Sequence, residues 1–154
     1  MAVTRLEADP NWATAAPFRD HVRDLLTTTG ISYPYYAALA GISPRAIRRL
    51  LHERRPLIHV ALARAILACD QDTITAAPTT RVPAKPTRQL LTALTTLGWT
   101  RTDLLHHLPS QDVALLGSRA LYCTQATQAR VHAVHDAAIR THHHRPHPAR
   151  RRCH

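Results

Sequence analysis

At 154 residues the chain has room for one domain or two small ones, each with a modest core. Its 20 basic and 10 acidic residues leave a formal charge of +10, with Lys85 the only lysine, and this points to a polyanionic partner. No apolar run approaches ~18 residues, and the opening MAVTRLEADP has no apolar signal core. Cys69, Cys123 and Cys153 are scattered without CxxC spacing. These features argue against a membrane span, a disulfide framework and a zinc ribbon, and place the chain in a reducing, cytoplasmic setting.

The sequence carries little β-branched alternation and only 4 glycines, so the expected class is all-α. Residues 1–16 read as a loosely ordered arm in which Trp12 packs on the domain. A first helical domain is expected over 17–69. Phe18, Val22, Leu25 and Leu26 fall at i, i+4, i+7 and i+8, an amphipathic helix that stops near Thr29-Gly30. GISYPYYAALAGISPRAIRRLLH, residues 30–52, then reads as two short helices joined by a tight turn. Ser32 caps the first, with Pro34 in its first turn, and Gly41 supplies the left-handed conformation that ends it. Ser43 caps the second, Pro44 opens it, and Ile47, Leu50 and Leu51 share one face. Arg45, Arg48, Arg49 and His52 take the other faces. A basic turn with Arg54 and Arg55 leads to a fourth helix from Ile58 to Cys69, with Ala61, Leu62, Ala65 and Ile66 turned inward.

Residues 70–87, DQDTITAAPTTRVPAKPT, contain Pro78, Pro83 and Pro86 and show no helical stripe, so they are expected to form a tethering linker. The pattern then returns over 88–140. Leu90, Leu91, Leu94 and Leu97 end at Gly98 as the first helix ends at Gly30, and Thr100 with Asp103 forms a capping-box start where Ser32 stood. Aligning the two glycines gives an internal repeat with an offset of 68, and Ala61–Leu67 answers to Ala126–His132. The second copy has Leu108-Pro109 at its turn, Gln111 and Asp112 where the first has Pro44 and Arg45, and Gly117 shortening its third helix. It is therefore expected to make a weak or non-reading DNA contact and to offer a dimer surface, the alternative being true groove binding. The tail, 141–154, has Arg145, Arg150, Arg151 and Arg152, five histidines and no acid, and is expected to be disordered and cationic.

Taken together, the HVR-x-LL-x3-G segment (His21-Val22-Arg23, Leu25-Leu26, Gly30), Ala40-Gly41-Ile42-Ser43, the arginine-rich Ile47–Leu51 stretch, RVPAKPTRQLLTALTTLGWTR and the closing ARVHAVHDAA resemble the tandem helix-turn-helix DNA-binding proteins of actinobacteria and their phages. The similarity covers residues 12–138. It implies two tandem four-helix units joined by a proline-containing linker, and sequence-directed binding of double-stranded DNA.

The expected mode is major-groove reading by the helix 43–52. Arg45 and Arg48 would read base edges, with Ser43, Pro44 and the helix amides at a phosphate. Tyr33, Tyr35 and Arg49 would clamp the backbone, with His52 on the same helix and Arg54 and Arg55 on the flanking strand. The resulting expectation is a nucleoid-associated transcriptional regulator that spans two half-sites alone or as a homodimer. The alternative is a non-specific DNA-coating or adaptor protein whose second unit mediates dimerisation or partner binding. Cys123, His132 and His135, the adjacent His106 and His107, and the tail histidines offer metal donors, but they lack the frame of a closed zinc site, so no metal and no cofactor are expected. Neither a Gly-rich phosphate loop nor a nucleophile elbow occurs, so the chain is not expected to be an enzyme.

Overall fold

The computed structural model describes residues 9–143. The expected N-terminal arm therefore lies outside the described residues over 1–8, and the expected tail over 144–154, while residues 141–143, expected to be disordered, continue the last helix, the Thr141 hydroxyl donating to the Ala137 carbonyl at 2.9 Å. The chain is mostly helical, with two short antiparallel strand pairs added. β1 (Trp12–Thr14), α1 (Ala15–Thr29), α2 (Tyr33–Ala40), α3 (Pro44–His52), β2 (Leu57–His59), α4 (Val60–Ala68) and α5 (Gln71–Ala76) form a first unit. β3 (Arg81–Pro83), α6 (Ala84–Thr96), α7 (Arg101–His107), α8 (Ser110–Val113), a 3-10 turn over Ala114–Gly117, β4 (Tyr122–Thr124) and α9 (Gln125–His143) form a second.

The strands correct two expectations. Part of the supposed arm is β1, paired with β2 in the register Trp12–His59, Ala13–Ile58 and Thr14–Leu57. The fourth helix accordingly starts at Val60 rather than Ile58, and it turns Ala63 and Ile66 inward while Ala61 is exposed. Ile58, the middle residue of β2, is buried in the first core. Three-residue strands leave no readable alternation in the sequence, which is why composition hid them.

The expected linker is also structured. Asp70 caps α5 by accepting from the Thr73 N–H at 2.9 Å and from its hydroxyl at 3.0 Å, and Ile74 and Ala77 are buried. Its prolines sit where a missing N–H costs nothing. Pro78 follows α5, Pro83 ends a strand with only one neighbour, and Pro86 lies in the first turn of α6.

A repeat is visible in matched backbone bonds, which set the offset before the first inter-helix turn at 69 rather than the expected 68, so the two glycines are one position out of register. Ala15 N–H donates to the Pro56 carbonyl at 2.9 Å, and Ala84 N–H to that of Leu121 at 3.0 Å. Val60 N–H donates to Asn11 at 2.9 Å, and Gln125 N–H to Thr80 at 2.8 Å. Each unit has its own core, around Val22, Tyr36, Ile47 and Ile66 in the first and around Leu91, Leu94, Leu104 and Val131 in the second. α9 joins them: it lies against both α2 and α6, and its Ala126 and Ala129 belong to the first core.

Candidate nucleic-acid interface

The turn before α3 follows from local chemistry. Gly41 adopts φ +69°, a conformation that costs a side-chain-bearing residue roughly 1–2 kcal/mol, and the Ile42 N–H closes back onto the Ala37 carbonyl at 2.9 Å. Ser43 then caps α3, its hydroxyl accepting from the Ala46 N–H at 3.2 Å, and Pro44 takes the first helical position. Ile47, Leu50 and Leu51 are buried, and this apolar stripe fixes the rotation of the helix. Arg45, Arg48, Arg49 and His52 are consequently exposed.

The far end of α3 is held by arginines of α1. Arg19 Nε donates to the Leu50 carbonyl at 2.7 Å, and its Nη2 to those of Glu53 and Arg55 at 3.2 and 3.1 Å. Arg23 Nη2 donates to the Leu51 carbonyl at 2.7 Å. The Leu50 and Leu51 carbonyls are among the last four of the helix, which have no intrahelical partner, those of Glu53 and Arg55 lie just beyond it, and cations here also oppose the negative end of the helix dipole. The helix that carries the exposed arginines is thus braced at both ends. Sequence reading missed Arg19 and Arg23. Their i, i+4 spacing on the polar edge of α1 could have marked them as a pair, but not what they would touch.

The proposed contact residues fall into two groups. No ion pair is formed by Arg45, Arg48 or Arg54 among the described residues, and all three are exposed. Arg49 lies 3.8 Å from Glu53, and Arg55 lies 2.8 Å from it. Both pairs are solvent-exposed and contribute about 0–1 kcal/mol, little enough to be exchanged for a phosphate. Tyr33 and Tyr35 are half-buried against the first core, and burial raises the Tyr35 hydroxyl pKa against the opposing effect of Arg130.

The second unit repeats the brace but not the exposed arginine face. Arg88 Nε donates to the Leu115 carbonyl at 3.2 Å and its Nη2 to that of Ala120 at 2.7 Å, matching Arg19 on Leu50 and Arg55. These bonds set the alignment: the shorter turn between α7 and α8 places Pro109 opposite Pro44, Ser110 opposite Arg45 and Asp112 opposite Ile47. The expected match of Gln111 and Asp112 to Pro44 and Arg45 is therefore corrected. Asp112 is a core position and is fully buried, not a surface acid facing DNA. It accepts from Arg130 Nε at 2.7 Å and Nη2 at 3.0 Å, and from the Thr127 hydroxyl at 2.7 Å. The carboxylate raises the Arg130 pKa further above its ordinary range, burial opposing the shift. The helix itself is a single turn passing into 3-10 geometry, with Val113 buried where Arg48 is exposed.

No group of three or more His, Cys, Asp or Glu side chains suited to a metal ion occurs among the described residues. Cys69 is buried, and burial pushes its thiol up to about 11. No described helix is long and apolar enough to cross a membrane. Compared with known proteins, the chain matches no protein-family model, no curated protein and no solved structure.

Proposed function

We propose that this chain binds double-stranded DNA and reads it in the major groove with α3, acting as a transcriptional regulator rather than as an enzyme. The observation that carries the reading is the state of Arg45 and Arg48. Arg45 lies in the first turn of a capped helix and Arg48 at its middle, both exposed and without a carboxylate partner among the described residues. A guanidinium reads a guanine edge with two parallel hydrogen bonds, and the N-terminal half of a recognition helix is the part that reaches base edges. Arg54, and Arg49 and Arg55 once released from Glu53, would meet phosphates, which position the protein without reading sequence. One reading helix per chain covers one half-site, so a second copy would be required to read a palindrome with half-sites about 10 bp apart.

Selection of bound fragments from random DNA would supply the operator. Cognate and random duplexes would then be titrated at two salt concentrations. Arg45→Ala or Arg48→Ala is expected to lose about 1–3 kcal/mol of discrimination per base pair read. Arg54→Ala is expected to weaken both duplexes alike. Equal losses on both duplexes for Arg45→Ala and Arg48→Ala would overturn base reading and leave a non-specific DNA-coating protein.

A further inference from the structure

We propose that the second unit holds the DNA backbone rather than its bases, through a cationic groove in which Lys85 and Arg119 meet phosphates. The inference rests on α3 being the reader. It is carried by what the repeat has kept and lost. The third helix of the second unit offers Ser110 where the first has Arg45, and its one acid, Asp112, is turned into the core against Arg130. That helix offers no guanidinium to a guanine edge, only the shorter polar side chains of Ser110 and Gln111. The turn after it, however, keeps its cation: Arg119 stands where Arg54 stands in the first unit, with the Ala120 carbonyl beside it held by Arg88.

The groove at this place, of about 530 Å3, is lined by Lys85, Arg88, Gln89, Thr92 and Arg119 and contains no carboxylate. The corresponding positions of the first unit are less uniform. Gln89 answers to Asp20, and Ser118, next to Arg119, answers to Glu53, the acid that pairs with Arg49 and Arg55. Loss of both acids leaves Lys85 and Arg119 exposed and with no ion pair among the described residues. Arg88 is fixed by its two carbonyl bonds and adds a third positive charge behind them. A groove of lysine and arginine without competing carboxylates fits a polyphosphate chain and reads no base.

Lys85→Ala/Arg119→Ala in the full chain tests this, since both side chains are exposed and the fold should be retained, as checked by circular dichroism. The slope of log K against log salt concentration is expected to fall in magnitude by about 2, close to 0.9 for each phosphate released. Affinity should drop by the same factor on cognate and random duplexes. Arg64→Ala, which removes an exposed cation of α4, controls for net charge and should leave the slope nearly unchanged. If the double variant keeps the wild-type slope while Arg45→Ala still loses discrimination, the second unit does not touch DNA and the proposal fails. It fails too if Arg64→Ala lowers the slope as much per charge. If Arg45→Ala and Arg48→Ala leave discrimination intact, the reading of α3 fails instead, whatever the slope does.

Discussion

The pair Asp112–Arg130 allows the origin of the second unit to be tested by exchange. In the repeat alignment Asp112 stands for Ile47, Arg130 for Ala65 and Thr127 for Leu62, so three positions that are apolar in the first unit carry a polar network in the second. Arg130→Ala leaves a fully buried carboxylate with only the Thr127 hydroxyl as donor, a loss of about 3–5 kcal/mol. Asp112→Ile strands Arg130, whose side chain is 30% exposed and can turn toward water, so its loss should lie at the lower end, about 3 kcal/mol. The double exchange Asp112→Ile/Arg130→Ala restores the first unit's combination. Replacing a buried ion pair by apolar groups is often neutral or stabilising, and the freed Thr127 hydroxyl, which keeps a bond to Thr124 at 3.1 Å, costs about 1 kcal/mol at most. The double variant should therefore fall within about 1 kcal/mol of the wild type, and with single losses of about 3 kcal/mol or more the coupling energy is about 5 kcal/mol or more, above the usual range for residues in one network. Urea unfolding followed by circular dichroism measures this, using midpoint shifts at constant m. If the double variant is as unstable as the worse single one, the two sites are not interchangeable core positions and the alignment is wrong.

Other expectations concern the first unit. Gly41→Ala should destabilise the chain by about 1 kcal/mol through its φ of +69°, and Ser43→Ala by about 1 kcal/mol through the lost cap; thermal denaturation reads both. Arg19→Met should loosen the end of α3 by removing three carbonyl bonds, seen as faster amide exchange across residues 47–53 with exchange in α7 unchanged. Cys69, with its thiol pushed up to about 11, should react with a thiol reagent at pH 8 only as fast as the protein unfolds, and more slowly than the exposed thiol of a small peptide. Burial lowers the His132 pKa below its ordinary 6.5, the nearby Asp136 opposing the shift. The unfolded chain therefore binds the proton more readily, so this contribution is complete above pH 6.5 and is lost as pH falls through the lower folded value. The melting temperature should drop on going from pH 7 to pH 5, and by less in His132→Gln.

The helices that position the candidate site were legible because each has a chemical signal within a few residues. Ser32 and Ser43 cap as expected, Gly30 and Gly41 end helices with positive φ, and Thr100 with Asp103 makes the reciprocal capping box. The exposed face of α3 follows from the burial of Ile47, Leu50 and Leu51 on the other side. Long-range features were not legible. The Arg19 bonds join residues 31 to 36 positions apart, and strand pairing between Trp12 and His59 leaves no periodicity in three residues. The proline-containing segment misled for a different reason: proline marks a loop only where an N–H is needed, and Pro78, Pro83 and Pro86 all occupy places where none is.

The two units differ in a way that one shortened turn accounts for. In the first, the residues Gly41-Ile42-Ser43 separate α2 from α3, give α3 its cap and let it run two full turns, enough to expose arginines while burying three apolar residues. In the second, Leu108-Pro109 is too short to supply a capping side chain, and α8 closes only one turn before tightening to 3-10. A helix this short cannot be fixed in rotation by its own apolar stripe. The buried Asp112–Arg130 bonds fix it instead by tying it to α9, the helix that also packs on α2 of the first unit. The same ion pair that removes an acid from the surface therefore links the degenerate helix to the element that joins the two cores. Under the proposed function, the second unit keeps a rigid scaffold tied to the first core in place of a reading helix.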